Sequence, residues 1–287
     1  MYIRCWGSRG SVPVSGREYV KYGGDTTCME IRSKDNDLII IDAGTGIRRL
    51  GEKLLKENEK KITLLFTHFH LDHIAGFPFF KPVYRKGTSI EILSKPFNKP
   101  SVKSIFDLFM DRPFFPVQLE DKDIKSTITF AEINQQTFSV GPITITTIPL
   151  SHPKDGGIGF RFEEEGKSFV FLTDNELGHT HSGGCSFNEY AEFSKNADLL
   201  IHDAEYEQRE YHKILKTSEG HWGHSVVSDV LNLAVEADIK QLGLFHINAM
   251  RTDKQVDEIV KKAKAFFTKK KKNIICTAVG DSFEAVL

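Results

Sequence analysis

Between two apolar stretches the chain reads Thr67-His68-Phe69-His70-Leu71-Asp72-His73, three imidazoles and one carboxylate within six residues. Imidazole combined with carboxylate suits zinc first, and manganese or iron next. Residues two apart on an extended chain point the same way, so His68 and His70 can share one ion. Asp72 and His73 enter the following turn and can reach a second. A lone histidine is more often a satisfied core or surface residue, but ligand types packed this closely point to a metal centre.

The surrounding pattern supplies the elements that must hold these groups. Met29 and Ile31 alternate with polar neighbours, Lys34 to Asp37 has turn chemistry, and Leu38 to Ile41 reads as a buried strand ending at Asp42-Ala43-Gly44. Helical spacing of Ile47, Leu50, Leu54 and Leu55 predicts a helix through to Lys60, and Ile62 to Phe66 predicts a second buried strand running into the histidine segment. The second half repeats the logic. Strands are predicted from Ile143, through Ile158 to Phe162, from Phe169 to Leu172, from Gln241 to Phe245 and from Asn273 to Thr277. An amphipathic helix is expected after Ser225. Two sheets covered by helices follow.

Composition narrows the class. With 287 residues, 40% hydrophobic and 27% charged, the chain can bury about three quarters of its surface without a staple. The 38 basic and 39 acidic side chains leave a net charge of -1, which argues against extended nucleic-acid binding and leaves room for a small anionic substrate. Cys5, Cys28, Cys185 and Cys276 are far apart and suit reduced thiols. Neither a secretory start nor a membrane-length apolar run is seen, so a cytoplasmic protein with no membrane association is expected. Lys269 to Lys272 reads as a solvated turn. No linker divides the chain, so residues 1-287 are expected to form a single domain with a helical and aromatic insertion near 95-125. That insertion is either a lid packed on the core or an aromatic lip over a site or a homodimer contact.

With Asp42, His68-x-His70-x-Asp72-His73, His152, Asp174 and His246 in order, the sequence resembles the metallo-β-lactamase-fold hydrolases. The resemblance covers nearly the whole chain. It implies an α/β fold, an αββα sandwich of two mixed sheets flanked by helices, and two divalent metal ions. It places His68, His70 and His152 at one ion, Asp72, His73 and His246 at the other, and Asp174 between them. Asp42 either caps a turn or, as the resemblance has it, orients a metal-bound histidine.

Leu200-Ile201-His202-Asp203-Ala204-Glu205 and Gly223-His224-Ser225 resemble paired motifs of tRNase Z-type and cyclic-phosphodiesterase members. Asp203 would keep His224 protonated for transfer to a departing alkoxide, or else His224 caps a helix and Asp203 sits in a turn. Asp72, His224 and Asp203 are thus the catalytic candidates. Gly7-Ser8-Arg9-Gly10-Ser11 also resembles cyclic-phosphodiesterase relatives, its glycines serving either phosphate approach or tight turns. The leading expectation is hydrolysis of a small cyclic phosphodiester, a cyclic nucleotide above others, by metal-activated hydroxide at phosphorus. A tRNase Z-like RNA-processing endonuclease is the first alternative, although no long Gly/Pro-rich arm is present. A hydrolase of carbon esters, thioesters or lactams comes next, and a metal-stabilised binding module last. His221, Ser225, His179 and His181 are candidate substrate contacts, against a reading of the three histidines as exposed loop residues. After the last strand, His246-Ile247-Asn248-Ala249 replaces the His-His-Asp-Pro frequent among relatives.

Overall fold

The computed structural model describes residues 1–217 and 221–287. Its first half holds β1 (Tyr2–Gly7), β2 (Cys28–Arg32), β3 (Leu38–Ile41), α1 (Ile47–Lys56), β4 (Lys61–Leu65), α2 (Leu71–Ile74), β5 (Ser89–Ser94), α3 (Val102–Phe109) and β6 (Thr127–Glu132). The second holds β7 (Thr137–Val140), β8 (Ile143–Leu150), β9 (Gly157–Glu164), β10 (Lys167–Leu172), α4 (Phe187–Phe193), β11 (Leu199–Asp203), α5 (Gln208–Thr217), α6 (Val227–Glu236), β12 (Gln241–Phe245), α7 (Asp253–Lys269), β13 (Ile275–Ala278) and β14 (Glu284–Val286). Among the described residues these strands form two seven-stranded sheets, ordered β14-β1-β2-β3-β4-β5-β6 and β13-β12-β11-β10-β9-β8-β7. Each is mixed: β3 to β6 and β10 to β13 run parallel, and the remaining neighbours antiparallel.

Side-chain alternation explains the layering. On β10, Phe169 and Phe171 face the other sheet while Val170 and Leu172 face α6 and α7; on β3, Ile39 and Ile41 face inward while Leu38 and Ile40 pack under α1. Strands buried on both faces read as continuous apolar runs, as Leu38 to Ile41 does. Three apolar clusters result, one between the sheets and one beneath each helical layer. The αββα sandwich is therefore the observed fold.

Element boundaries differ in places. The helix expected to reach Lys60 stops at Lys56, because Asn58 takes a left-handed φ of 60° and turns the chain into β4. The second strand runs one residue earlier than expected, and the strand expected over 273–277 is β13, which begins two residues later. In the insertion, α3 starts at a capping box on Ser101 and buries Val102 and Phe106. Cys5, Cys28 and Cys276 are buried free thiols. Among the described residues no helix is long and apolar enough to cross a membrane.

Candidate active site

Strand direction gathers the ligands. β3, β4, β10, β11 and β12 end at one edge of the sandwich, and β8, separated from β10 by two antiparallel pairings, ends there as well. Asp42, the segment from Thr67, His152, Asp174, Asp203 and His246 all sit at or just past those ends. Asp42, Asp174 and His246 hold positive φ values of 61°, 49° and 52°. Such backbone costs on the order of 1–3 kcal/mol per residue and concentrates at functional sites.

Among the described residues three groups of ligand atoms lie within 4.8 Å of one another: His68, His70, His152 and Asp174; Asp72, His73, Asp174 and His246; and Asp203, His224 and His246. Asp174 joins the first two, with Oδ2 3.5 Å from His68 Nε2 and Oδ1 3.2 Å from His73 Nε2 and 3.4 Å from His246 Nε2. His70 Nδ1 and His152 Nε2 are 3.2 Å apart. His246 Nε2 lies 3.2 Å from Asp72 Oδ2.

On four of the five histidines the ring nitrogen facing away is tied down. His68 Nδ1 meets Thr67 Oγ1 at 3.1 Å, His73 Nδ1 meets Asp42 Oδ2 at 2.8 Å, His152 Nδ1 meets the Gly223 carbonyl at 3.2 Å and His246 Nδ1 meets Glu205 Oε2 at 3.0 Å. These contacts fix the rings so that Nε2 points into the cluster. His68 Nε2 and His73 Nε2 are buried without a hydrogen-bond partner, which a protein tolerates where another ligand completes them. Burial pushes His68 well below the ordinary histidine range and His152 down to about 3, so both keep a free lone pair. At the second group burial opposes charge, yet Asp174, Asp72 and Asp42 raise His73 and attract cationic charge there. The donor set fits two divalent ions.

Asp42 is thus more than a turn residue: it holds Thr67 N at 2.8 Å, Thr67 Oγ1 at 2.8 Å and His73 together. Asp42→Ala is expected to weaken metal binding roughly 10- to 100-fold, the usual cost of losing such an orienting partner, measured by chelator competition. Unchanged affinity would return Asp42 to a purely local turn role.

Beside the second group, His224 Nδ1 meets Asp203 Oδ2 at 2.9 Å, and its ring stacks on His246 at 4.5 Å between centroids. Burial disfavours the imidazolium, but Asp203 outweighs it and raises His224 above the ordinary range. Asp203 is itself fixed by the amides of Glu205 at 2.9 Å, Asn175 at 3.3 Å and Ser225 at 3.4 Å. The helix α6 starts at Val227, beyond His224, so His224 does not cap it.

The four residues considered as substrate contacts are placed differently. Ser225 is buried, its hydroxyl donating to the Asn175 carbonyl and accepting from Leu177 N at 3.1 Å, so it fastens two loops. His181 Nε2 meets Glu176 Oε2 at 2.8 Å, and His221 Nδ1 meets Glu176 Oε1. His179 stacks on His221 with centroids 3.8 Å apart. Glu176 also accepts from Tyr211 Oη and from Gly223 N at 2.9 Å, and the Gly223 carbonyl holds His152. The histidine trio therefore braces a ligand through Glu176.

Glu205 and Glu176 are the supports that sequence reasoning passed over. Glu205 grips His246 and also accepts from Asn248 Nδ2, so the altered residues after the last strand carry a supporting contact. The amino-terminal glycines serve packing: Gly10 N donates to Ile247 O at 3.0 Å and Ser11 N to Asp72 Oδ2 at 2.8 Å. A Cβ on Gly10 would lie 2.3 Å from His246 Nδ1. Buried Arg9 ties the same segment to the carbonyls of Gly23 at 2.8 Å and Arg251 at 2.7 Å.

Residues 38–247 match the family model described as a beta-lactamase superfamily domain. The chain belongs to the metallo-β-lactamase superfamily. It is a metal-dependent hydrolase of this superfamily, on the branch of relatives named ribonuclease Z. A ribonuclease Z of Staphylococcus epidermidis is 25% identical over 86% of this chain and 89% of its own length. Among solved structures, the metallo-β-lactamase fold protein YhfI from Bacillus subtilis superposes with a TM-score of 0.69 at 17% identity, covering 99% of this chain and 98% of that one. A diphosphatase from the PhnP family gives 0.68 at 18% identity, covering 100% and 97%.

Proposed function

We propose that this metallo-β-lactamase-fold chain is a two-metal phosphodiesterase that cleaves an RNA phosphodiester. The observation that carries the reading is His224, a buried imidazole held by Asp203 and stacked on a metal-group histidine. An alkoxide leaving from phosphorus needs such a proton donor. A thiolate leaving from a thioester, whose thiol has an ordinary pKa of about 8.5, needs no such donor.

Two ions bound at the clusters would supply Lewis-acid charge for the phosphate and lower the pKa of water. His68, His70 and His152 would hold one, Asp72, His73 and His246 the other, with Asp174 serving both. The chain's own residues do the remaining work. Burial raises the cost of charge on Asp72, but His73 and His246 hold its carboxyl well below the usual range, leaving an acceptor that orients water. Asp203 fixes the tautomer of His224, whose Nε2 donates the proton to the departing oxygen.

RNA stands ahead of the cyclic nucleotide first expected. The relative named ribonuclease Z aligns over most of both chains. The cyclic-nucleotide reading leaned on the amino-terminal glycines, whose amides at Gly10 and Ser11 are already taken by Ile247 and Asp72. With a net charge of -1, the substrate would be held locally at its scissile end.

The test is product analysis of metal-loaded protein with a 3′-extended tRNA precursor, cAMP, cGMP, their 2′,3′ isomers, a thioester and a β-lactam. Metal-dependent cleavage of the precursor, faster than any other compound, is the expected result. Faster turnover of a cyclic nucleotide would reverse the choice within phosphodiesters. Turnover confined to the thioester or lactam would overturn the reading.

A further inference from the structure

A cavity of about 700 Å³ opens directly onto the first ligand group, with His68 and His70 in its wall. Its other walls come from α2, the turn at Pro78 and Phe79, and the insertion. Six phenylalanines, Phe69, Phe79, Phe97, Phe109, Phe114 and Phe115, line it. Their rings meet edge to face, Phe69 with Phe97 at 6.0 Å and Phe79 with Phe115 at 5.7 Å between centroids. The inner wall is rigid: Phe69 stacks on buried Phe66 at 5.2 Å, and Phe106 of α3 packs on both. The rim is clasped where Asn98 Nδ2 donates to Asp155 Oδ1 at 3.2 Å, joining the insertion to the loop after His152.

The outer wall remains open to water. Phe114 is 78% exposed, Leu108 60% and Phe79 57%. Large apolar side chains grouped around a concavity mark a binding surface. The size falls within the range of small-molecule sites, which are apolar with a few placed polar groups. Here those polar groups are His68 and His70 of the first ligand group together with Lys99 and Asp155, and the two histidines put the occupant within reach of the reacting phosphorus.

Position within the site tells which part of the substrate enters. His224 stacks on His246 at 4.5 Å and meets His152 edge to face at 5.7 Å between centroids, and neither His224 nor His152 lines the cavity, which adjoins His68 and His70. The leaving oxygen must lie beside its proton donor, so the cavity is left to the ester group that stays on phosphorus. Resting on the phosphodiesterase reading above, we propose that the cavity binds an aromatic ring on this retained group, with Phe79, Leu108 and Phe114 as specificity-determining residues. Aromatic walls favour a flat ring because offset and edge-to-face contacts add to area burial. Such a ring is either a nucleobase or a simple aryl group.

The test uses phosphinates, which carry one negative charge like a diester and have no ester bond to break. Calorimetry with zinc-loaded protein compares dimethylphosphinate with methyl(phenyl)-, methyl(hexyl)- and methyl(thymin-1-ylmethyl)phosphinate. The phenyl compound is expected to bind roughly 10- to 100-fold more tightly than the dimethyl compound, in keeping with apolar-pocket discrimination, and more tightly than the hexyl. Combining Phe79→Ala, Leu108→Ala and Phe114→Ala, all exposed positions, should erase most of that preference with metal content unchanged. Thymine binding as tightly as phenyl assigns the ring to a nucleobase, and phenyl ahead of thymine assigns it to an aryl group. Equal binding of phenyl and methyl, hexyl matching phenyl, or a preference that survives the triple substitution would overturn the proposal. So would a dimer abolished by the triple substitution with phenyl preference intact, which would make the lip an interface between copies. Phenyl preference without hydrolysis of any diester would uphold the cavity assignment and remove the phosphodiesterase reading instead.

Discussion

His224→Ala is expected to lower turnover by roughly 10² to 10⁴, the range for losing general acid catalysis, with both metal equivalents retained. The expectation rests on geometry: His224 belongs with Asp203 at 2.9 Å, and neither residue is needed to complete the two ligand groups joined by Asp174. A reactive leaving group such as p-nitrophenolate departs without much protonation, so it should conceal most of the defect. A ribose alkoxide should show it in full. Asp203→Asn, which keeps the side-chain volume but removes the charge that raises His224, should follow the same leaving-group pattern with a smaller loss. Equal losses for reactive and poor leaving groups would make His224 a substrate-binding residue.

The second large effect belongs to Asp174. One carboxylate faces His68 with one oxygen and His73 and His246 with the other, so its removal touches both ligand groups at once. Asp174→Ala is expected to weaken both ions, whereas His152→Ala, confined to the first group, should weaken one. Elemental analysis of zinc-loaded wild-type protein should approach ~2 equivalents, as in other two-metal sites. Losing several kcal/mol of Lewis-acid stabilisation, at about 1.4 kcal/mol per tenfold, lowers activity on the order of 10³-fold or more. If Asp174→Ala retained one ion at wild-type affinity, the carboxylate would not serve both groups.

The metal motif was legible because its geometry is local. His68 and His70 lie in the short segment between β4 and α2, and Asp72 and His73 in the one turn of α2, so all four fall within six residues where spacing decides which side chains converge. His152, Asp174 and His246 are far apart in sequence and required the family pattern. The layer order was legible for a similar reason, since continuous runs such as Leu38 to Ile41 announce strands covered on both faces.

The supports were less legible because they are loop-to-loop contacts. Glu205 reaches His246 across 41 positions, and Glu176 reaches His221 across 45, with no periodicity to link them. Ser225 looked available beside His224, yet its hydroxyl is used by the loop from Asn175 to Leu177. The glycines at the amino terminus read equally as phosphate-facing or structural, and the space required by His246 against Gly10 decides for structure. In the insertion, Phe106 and Met110 are buried in the core, while Leu108 and Phe114 are exposed beside the cavity. Within α3 itself, Phe106 faces the core and Leu108 faces out.

Oxygen-isotope transfer tests the central claim, metal-dependent water attack at phosphorus, most directly. Zinc-loaded protein would cleave the 3′-extended tRNA precursor in water enriched in oxygen-18, and mass spectrometry would locate the label. The predicted result is one heavy oxygen in the terminal phosphate of one fragment, an unlabelled hydroxyl on the other, and no cleavage after chelation. An unlabelled 2′,3′-cyclic phosphate end, a labelled carbon-bound hydroxyl, or cleavage that survives chelation would contradict it.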